Sequence, residues 1–273
     1  MSDGRSNEME TETGGSPRRI AVTGAGGRMG TEVIEAAAER DNVTVAFAAN
    51  RSPVDPVSGV DVETLATPSA ITDTLRSADP DVLVDFTGPE SAVVYAEACA
   101  ETGVPLVTGT TGFTDDELDR LRTASESVPV LKASNFSRGV AALRGAVRAA
   151  AAALPGYDVE VTETHHNGKR DAPSGTAKSI LDDVESVRTD LDHRVHGREG
   201  DAPREPGDIG VHARRAGDVT GEHEVLFAGN SETVALTHRA GDRGVFAAGA
   251  LDAADWLVDR DSGWYTFTDV VDE

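Results

Sequence analysis

Short apolar runs alternate with helical stretches through the first half of the chain. The runs "RRIAVT" (Arg18–Thr23), "VTVAFAAN" (Val43–Asn50), "DVLVDFT" (residues 81–87) and "PLVTGTTG" (residues 105–112) have the length and composition of buried strands. The intervening "TEVIEAAAER" and "PESAVVYAEACAETG" have helical composition. Strands that alternate with helices predict an α/β fold with a Rossmann-like, doubly wound parallel sheet. In such a sheet ligands bind at the carboxyl ends of the strands, where "FTGPES", "GTTGF" and "ASNFSRGV" fall.

The pattern changes near residue 139. The run "VAALRGAVRAAAAALPG" (residues 140–156) predicts a long alanine-rich helix that ends at Pro155 and Gly156. "YDVEVTETHH" then alternates like a strand, and "GVHARRAG", "GEHEVLFAG" and "ETVALTHRA" are also β-like. Several strands with fewer helices predict a second, α+β domain that shapes a substrate pocket. The last segment is helical and then extended, and we expect it to return to the first domain.

These patterns predict two domains after a polar, acidic tail. The tail, residues 1–17, has no apolar centre, so it lacks the pattern of a secretory signal and we expect it to be disordered. We expect residues 18–138 and 247–273 to form a dinucleotide-binding domain. Residues 139–246 form the predicted substrate-binding domain.

The turn after the first strand has the composition of a phosphate-binding site. It contains "GAGGRMG", in which Gly24, Gly26 or Gly27, and Gly30 would permit a tight turn, close backbone approach to a pyrophosphate, and packing of helix on strand. The spacing departs from strict G-x-G-x-x-G because Met29 stands where the third glycine belongs. On this motif alone, a tight βα turn without a ligand stays an alternative.

The end of the second strand indicates which cofactor is preferred. An acidic residue there would bond the 2′-hydroxyl of NAD, whereas an arginine suits the 2′-phosphate of NADP. The residues present are Asn50 and Arg51. The sequence therefore favours NADPH over NADH, with NADH tolerated; an exposed loop arginine without a ligand is the alternative.

The composition is that of a soluble globular protein with a large excess of acidic residues. The chain has 273 residues, 48 acidic and 25 basic, with a formal net charge of −23. No apolar run approaches the roughly 20 residues that a membrane span needs, so no membrane partner is expected. The acidic surface disfavours nucleic acid. The single cysteine, Cys99, excludes an internal disulfide, and we expect a cytoplasmic protein.

The net charge also suggests adaptation to a salt-rich cytoplasm. Self-repulsion on this scale should loosen a compact domain in dilute salt. At molar salt the Debye length falls to roughly 3 Å, so surface carboxylates would no longer repel one another. An ordinary acidic protein is the alternative.

The segment "EVTETHHNGKRDAPSGTA" (residues 160–177) concentrates reactive groups. His165 and His166 end a predicted strand and would point to opposite faces. Lys169 supplies a cation, and "PSGT" offers hydroxyls and N–H groups at a helix start. The combination predicts a site where a small carboxylated substrate undergoes proton transfer. Two purely structural histidines are the alternative, and the spacing of His165, His166 and Asp171 disfavours a metal site.

The remaining histidines lie in loops and strands and are predicted to be structural or surface residues, with His223 of "GEHE" a candidate support for the pocket or a subunit interface. They are His193, His196, His212, His223 and His238.

This segment resembles the signature of the 4-hydroxy-tetrahydrodipicolinate (dihydrodipicolinate) reductase family. "GAGGRMG", "DFTGPES", "GTTGF", "ASNFSRGV", "RAGDVTGEHEV" and "THRAGDRGVFAAGA" are similar to family motifs in the same order, so the resemblance covers nearly everything after the tail. The residues of the long signature that match are Glu160, Glu163, His165, Lys169, Asp171, Pro173, Ser174, Gly175, Thr176 and Ala177.

The resemblance implies roles for individual residues. His165 would be the proton donor or acceptor and Lys169 a second donor. His166, Gly175 and Thr176 would bind the carboxylates of a dicarboxylate substrate. The residues implied to contact NADPH or NADH are Gly24, Ala25, Gly26, Gly27, Arg28, Met29, Asn50, Arg51, Gly109, Thr110, Thr111, Ala133, Ser134, Asn135 and Phe136. The family also implies a homotetramer, formed through the second domain.

The resemblance further implies a reaction in the diaminopimelate route to lysine. The cyclic imine loses its 4-hydroxyl, receives a hydride and is protonated at the resulting enamine carbon, a step suited to histidine. Asn50 departs from the acidic residue often found in the family, which disfavours NADH. Two alternatives stay open: another two-domain nicotinamide enzyme, such as a relative of homoserine or aspartate dehydrogenase, and a cofactor-binding sensor without catalysis.

Overall fold

The computed structural model describes residues 16–65 and 67–272. The predicted disordered tail lies outside this part of the chain except for Ser16 and Pro17. Strands β1 to β12 are Arg18–Thr23, Val43–Asn50, Glu63–Thr64, Val82–Asp85, Leu106–Thr108, Pro129–Lys132, Asp158–His165, His193–His196, Asp208–Arg215, Gly221–Gly229, Glu232–Ala240 and Gly263–Tyr265. Helices α1 to α8 are Arg28–Ala38, Ile71–Ala78, Pro89–Thr102, Asp115–Ser125, Arg138–Ala153, Gly175–Val187, Gly244–Val258 and Phe267–Val271.

The first sheet has seven strands in the order β12-β6-β5-β4-β1-β2-β3, and neighbouring strands are parallel. Helices α1, α7 and α8 pack on one face, and α2, α3 and α4 pack on the other. Both faces are covered, so the central strands are mostly apolar, as in the fully buried β4, where only its last residue, Asp85, is polar. The predicted doubly wound parallel sheet is confirmed.

The order of the strands places the ligand-binding edge. β2 and β3 lie on one side of β1 in the sheet, whereas β4, β5 and β6 lie on its other side. The carboxyl ends of β1, β4, β5 and β6 therefore meet at one edge of the sheet, next to a reversal of strand order. The glycine turn and the loops after β4, β5 and β6 all begin at this edge.

The second sheet is mixed, with the order β11-β10-β7-β9-β8. β10 and β11 form an antiparallel hairpin joined by Asn230 and Ser231, whose φ angles of 48° and 62° suit a tight two-residue turn. Helices α5 and α6 pack on one face and bury the apolar residues of β7, β9 and β10. The opposite face carries polar side chains such as Glu160 and His212, so the strands alternate as an α+β sheet requires.

The end of the chain packs against the first sheet. Helix α7 lies across it, and β12 pairs with β6 at its edge. The extended segment expected at the end of the chain is limited to β12. Thr266 follows β12 and forms a capping box with Asp269, so α8 begins at Phe267. The division of the chain at residues 138 and 247 stays a prediction. None of the described helices combines the length and apolar composition that a membrane crossing requires.

Candidate active site

A cleft of about 670 Å³ lies between the carboxyl edge of the first sheet and the helix-covered side of the second. It collects most of the predicted site residues from both halves of the chain. Those that line it are Arg28, Met29, Gly109, Thr111, Ala133, Ser134, Asn135, Phe136, His165, His166, Lys169, Gly175 and Thr176. Residues predicted to bind cofactor and substrate therefore share one cavity.

His165 is the last residue of β7 and is buried at the wall of the cleft. Its Nδ1 contacts Oε2 of Glu163, two residues earlier on the same face of the strand. Burial acts to raise the pKa of Glu163, but bonds and charges from His165 and Arg215 outweigh it and lower the pKa to about 2. The imidazole is thus backed by an ionised carboxylate.

Positive charge surrounds the remainder of this wall. Lys169 lies three residues after His166, and its backbone N–H donates to the His166 carbonyl at 3.1 Å, which closes a tight turn. The Nζ of Lys169 lies 2.8 Å from Asp171 Oδ1. Desolvation, together with the charges of Arg28, Arg243 and Lys169, lowers the pKa of His166. In a chain with a net charge of −23, cations gathered in one cleft favour an anionic ligand.

The first turn of α6 faces the same cleft. Ser174 is its N-cap and accepts a hydrogen bond from the Ala177 N–H at 3.2 Å. The first turn contains no acidic residue, so the N–H groups at Gly175 and Thr176 can meet a carboxylate. Asn135 donates to the Thr176 hydroxyl at 2.9 Å, which connects this turn to the loop after β6.

A second cleft of about 400 Å³ adjoins the first at Phe86 and runs along the glycine turn. Gly24, Gly27, Asn50 and Arg51 line it. The Asn50 amide donates to the Ser52 carbonyl at 2.9 Å, and Arg51 is exposed. Asn50 ends β2 and Arg51 follows it, beside the glycine turn, where the ribose of a dinucleotide would lie.

The glycine turn fits the anionic part of such a cofactor. Helix α1 begins at Arg28 without a side-chain cap and with no acidic residue in its first turn, so its N–H groups are available to a phosphate. Gly30 takes the packing role of the third glycine, because a Cβ there would lie 2.1 Å from the Gly24 carbonyl oxygen. Met29, which stands at the usual position, lines the cleft instead.

Three predicted cofactor residues do not line either cleft. Ala25 is fully buried beneath the turn, and Gly26 lies against Asn50 and Val54. Thr110 is buried; its N–H donates to the Thr108 hydroxyl and its own hydroxyl donates to Asp85 at 2.8 Å. Ala25 and Thr110 therefore support the turn and the loop after β5 from beneath, whereas Gly26 is exposed.

Asp85 is a feature that sequence reasoning missed. Its fully buried carboxylate accepts from four threonine hydroxyls at the ends of β1, β4 and β5. The donors and their distances are Thr23 at 2.9 Å, Thr87 at 2.6 Å, Thr108 at 2.8 Å and Thr110 at 2.8 Å. Burial raises the pKa of Asp85 against the opposing effect of these hydrogen bonds. The network holds together the loops at the carboxyl edge.

His223 of β10, a predicted candidate support for the pocket, packs against the site residues. His223 is 3% exposed, its ring centroid lies 5.3 Å from that of His165, and its Nε2 lies 3.3 Å from Ser174 Oγ. Arg243, at the N-terminus of α7, and Lys178 of α6 line the main cleft as well. The "E-x-H" spacing on a strand could have indicated the Glu163 contact, whereas the contributions of β10 and α7 depend on long-range packing.

No group of three or more histidine, cysteine, aspartate or glutamate side chains within the described ranges is placed to hold a metal ion. The site offers cations and N–H donors to an anionic ligand instead.

Two family models together match nearly all of the described chain. The family model for the N-terminus of dihydrodipicolinate reductase matches residues 18–136, and that for its C-terminus matches residues 139–271. Two curated relatives are named 4-hydroxy-tetrahydrodipicolinate reductase. That of Haloarcula marismortui is 57% identical over 93% of this chain and 99% of its own. That of Natronomonas pharaonis is 52% identical over 92% of this chain and 99% of its own.

Solved structures show the same arrangement. A dipicolinate-bound dihydrodipicolinate reductase from Paenisporosarcina sp. TG-14 superposes with a TM-score of 0.73 and 25% identity, over 92% of this chain and 97% of its own. An amine dehydrogenase from Mycobacterium smegmatis gives a TM-score of 0.61 at 16% identity, over 93% of this chain and 96% of its own. The latter likeness concerns the fold alone.

Proposed function

The chain belongs to the dihydrodipicolinate reductase family, and we propose that His165 donates the proton and Lys169 holds the substrate in its reduction of 4-hydroxy-tetrahydrodipicolinate. The family assigns the activity: an NAD(P)H-dependent oxidoreductase of the diaminopimelate route to lysine that forms tetrahydrodipicolinate. One observation carries the assignment of roles. The carboxylate-backed His165 and Lys169 share a cleft with the nucleotide-binding edge of the first sheet.

The cofactor would lie across the two clefts. The N–H groups at the start of α1 would hold its pyrophosphate, and the loop Ala133–Phe136 would border the nicotinamide. When bound, the reduced nicotinamide supplies the hydride. Phe86 and Phe136 form an edge-to-face pair with centroids 5.8 Å apart, which gives the junction of the clefts an apolar wall.

Side chains of the protein bind the substrate and supply the proton. Lys169, His166 and the first turn of α6 bind the two carboxylates and orient the ring. His165 then donates a proton to the enamine carbon that hydride addition leaves, and solvent restores the proton. The dipicolinate bound in the solved relative is an aromatic dicarboxylate, which supports a site that recognises two carboxylates on a flat ring.

The direct experiment follows cofactor oxidation with substrate freshly made from pyruvate and aspartate semialdehyde. The purified chain should oxidise NADPH only when this substrate is present. An enzyme that reduced other imines or carbonyl compounds and left this substrate unchanged would remove the proposed function.

The preference for NADPH rests on Asn50 and Arg51. Neither residue carries a negative charge that would repel a 2′-phosphate, and both line the second cleft. The exposed guanidinium of Arg51 can reach across the mouth of that cleft to a phosphate.

A homotetramer is supported by the uncovered face of the second sheet. Among the described residues, no helix packs on the face that carries Glu160, His212, Glu224 and Leu226. A mixed sheet face of this kind can be covered by a second copy. Light scattering on the purified protein should give a mass near four chains, and a monomer at working concentration would exclude this assembly.

The acidic composition supports work in a salt-rich cytoplasm. Raising KCl should stabilise the fold because it screens the repulsion of a surface with a net charge of −23. Equal melting temperatures in dilute buffer and in concentrated KCl would contradict the salt adaptation, and recovery of the enzyme outside the cytosolic fraction of its cells would contradict the location.

A further inference from the structure

We propose that Glu163 is the positioning residue of the site, which orients the proton donor and the carboxylate-binding turn through one buried carboxylate. The inference rests on the proposed function and deepens it: it specifies which nitrogen of His165 delivers the proton. Glu163 is 1% exposed and does not line the cleft. It therefore acts through its neighbours.

The two oxygens of Glu163 serve different parts of the site. Oε2 contacts Nδ1 of His165 on the same strand. Oε1 accepts from Arg215 Nη2 on β9 at 2.8 Å and from the Ser174 N–H at 3.2 Å. Ser174 is the N-cap of α6, so the carboxylate connects the proton donor to the start of the helix that would bind substrate.

The chemistry of the carboxylate fixes the tautomer of the imidazole. An ionised carboxylate only accepts hydrogen bonds, so Nδ1 of His165 must carry a proton. In the neutral ring, Nε2 is then the unprotonated nitrogen. In the charged ring, Nε2–H is the proton that can leave, since the Nδ1 proton is held by Glu163.

This assignment accounts for every bond in the proton transfer. The Nε2–H bond breaks, a C–H bond forms at the enamine carbon, and the imidazolium becomes a neutral ring with its remaining proton on Nδ1. A solvent proton returns to Nε2. The charged His165 ring forms an ion pair with the Glu163 carboxylate, and the neutral ring keeps the same Nδ1–H hydrogen bond to it. Neither side chain has to move between the two states.

The surroundings leave Nε2 unobstructed, and the histidine that packs against the ring stays uncharged. A Cβ at Gly221 would lie 3.1 Å from Nε2, so the glycine leaves room beside this nitrogen next to Thr220, which lines the cleft. His223 of β10 faces the ring edge-on, and burial, followed by the charge of His165, lowers its pKa to about 4. It remains neutral near neutral pH. The other charged or titratable groups near the ring are Arg215 of β9 and the loop residues His166 and Lys169.

The test compares Glu163→Gln with two controls. Glutamine keeps the size but not the charge. Its oxygen is expected to face the two donors Arg215 and Ser174, which turns its NH₂ group towards His165 and requires Nδ1 to become an acceptor. Glu163→Asp keeps an acceptor-only group. Glu185→Gln changes the same residue type in α6 outside the cleft, where the carboxylate pairs with Arg194.

The expected results separate positioning from simple stabilisation. In ¹⁵N-histidine spectra followed through a pH titration, the neutral His165 ring should carry its proton on Nδ1 in the wild type and on Nε2 in Glu163→Gln. Turnover by Glu163→Gln should fall about 100-fold with an unchanged Kd for NADPH. Glu163→Asp should recover most of this loss, and Glu185→Gln should match the wild type.

The wild-type spectrum alone can overturn the proposal, whether or not the variants fold. A neutral His165 ring protonated on Nε2 would exclude the assigned orientation, as would full activity in Glu163→Gln. This spectrum needs no substrate. If the wild type failed to reduce 4-hydroxy-tetrahydrodipicolinate, the proposed function would fail while the orientation of His165 was still decided.

Discussion

The side-chain amide of Asn135 donates to the hydroxyl of Thr176 across 2.9 Å. Asn135 belongs to the loop after β6 in the first sheet, and Thr176 to the first turn of α6 beside the second. The bond joins the predicted nicotinamide border to the predicted carboxylate site. Thr176 is buried and Asn135 is partly exposed, so the contact is partly shielded from solvent.

Replacing Thr176 should test this link. Thr176→Val keeps the shape but removes the acceptor and leaves the Asn135 amide unpaired, so Kd for dipicolinate should rise about 10-fold while Kd for NADPH changes little. Calorimetry with each ligand measures both. Thr176→Ser keeps the hydroxyl and should bind like the wild type; equal weakening by serine would show that the methyl group, rather than the hydrogen bond, matters.

Replacing Arg51 tests the cofactor preference. Arg51→Ala removes a cation that can meet the 2′-phosphate, so the ratio of kcat/KM for NADPH to that for NADH should fall about 10-fold. Arg120→Ala, which removes an exposed arginine paired with Glu97 on the far side of the first sheet, is the matched control. An unchanged ratio in Arg51→Ala would exclude Arg51 from cofactor selection.

The Asp85 hydrogen-bond network should contribute to the stability of the first sheet. Asp85→Ala leaves four threonine hydroxyls without their acceptor, and we expect a loss of about 2–4 kcal/mol in the free energy of unfolding. Asp85→Asn keeps an acceptor and most of the shape, so it should lose less. Urea unfolding measures both. If alanine cost no more than asparagine, the hydrogen bonds would not be the source of the stability.

Glu163 gives the folded protein a defined dependence on pH. Its pKa is about 2 in the fold against an ordinary value of 4.5, so the folded state binds this proton less readily than the unfolded state. The stability it contributes is present above about pH 4.5 and is lost as the pH falls towards 2. The difference in unfolding free energy between the wild type and Glu163→Gln should therefore shrink on acidification. A difference that stayed constant from pH 6 to about pH 3 would contradict this pairing.

The sequence pattern predicted the bounds of several strands correctly. β1, β2, β10 and β11 begin and end at the predicted residues, because short apolar or alternating runs end at glycines, asparagines or serines. The closing helix α8 was not predicted, since five residues are too few to show helical periodicity and only its capping box marks it in the sequence.

The site was predicted only as far as its local motifs reach. His165, Lys169 and the start of α6 lie within one segment, so their proximity follows from the sequence. His223, Arg243 and the threonines around Asp85 come from other strands and helices. The packing of β10 on β7 and of α7 on the first sheet brings His223 and Arg243 to the site. The pairing of β4 with β1 and β5 gathers the threonines around Asp85.

The role of His165 is tested most directly by the turnover of His165→Gln with NADPH and 4-hydroxy-tetrahydrodipicolinate in concentrated KCl. The control is His193→Gln, which changes an exposed histidine paired with Asp192 outside the cleft. We predict that turnover by His165→Gln falls about 100-fold or more, as expected for the loss of one general acid, while Kd for NADPH is unchanged. Wild-type turnover in His165→Gln would contradict the assignment of His165 as the proton donor.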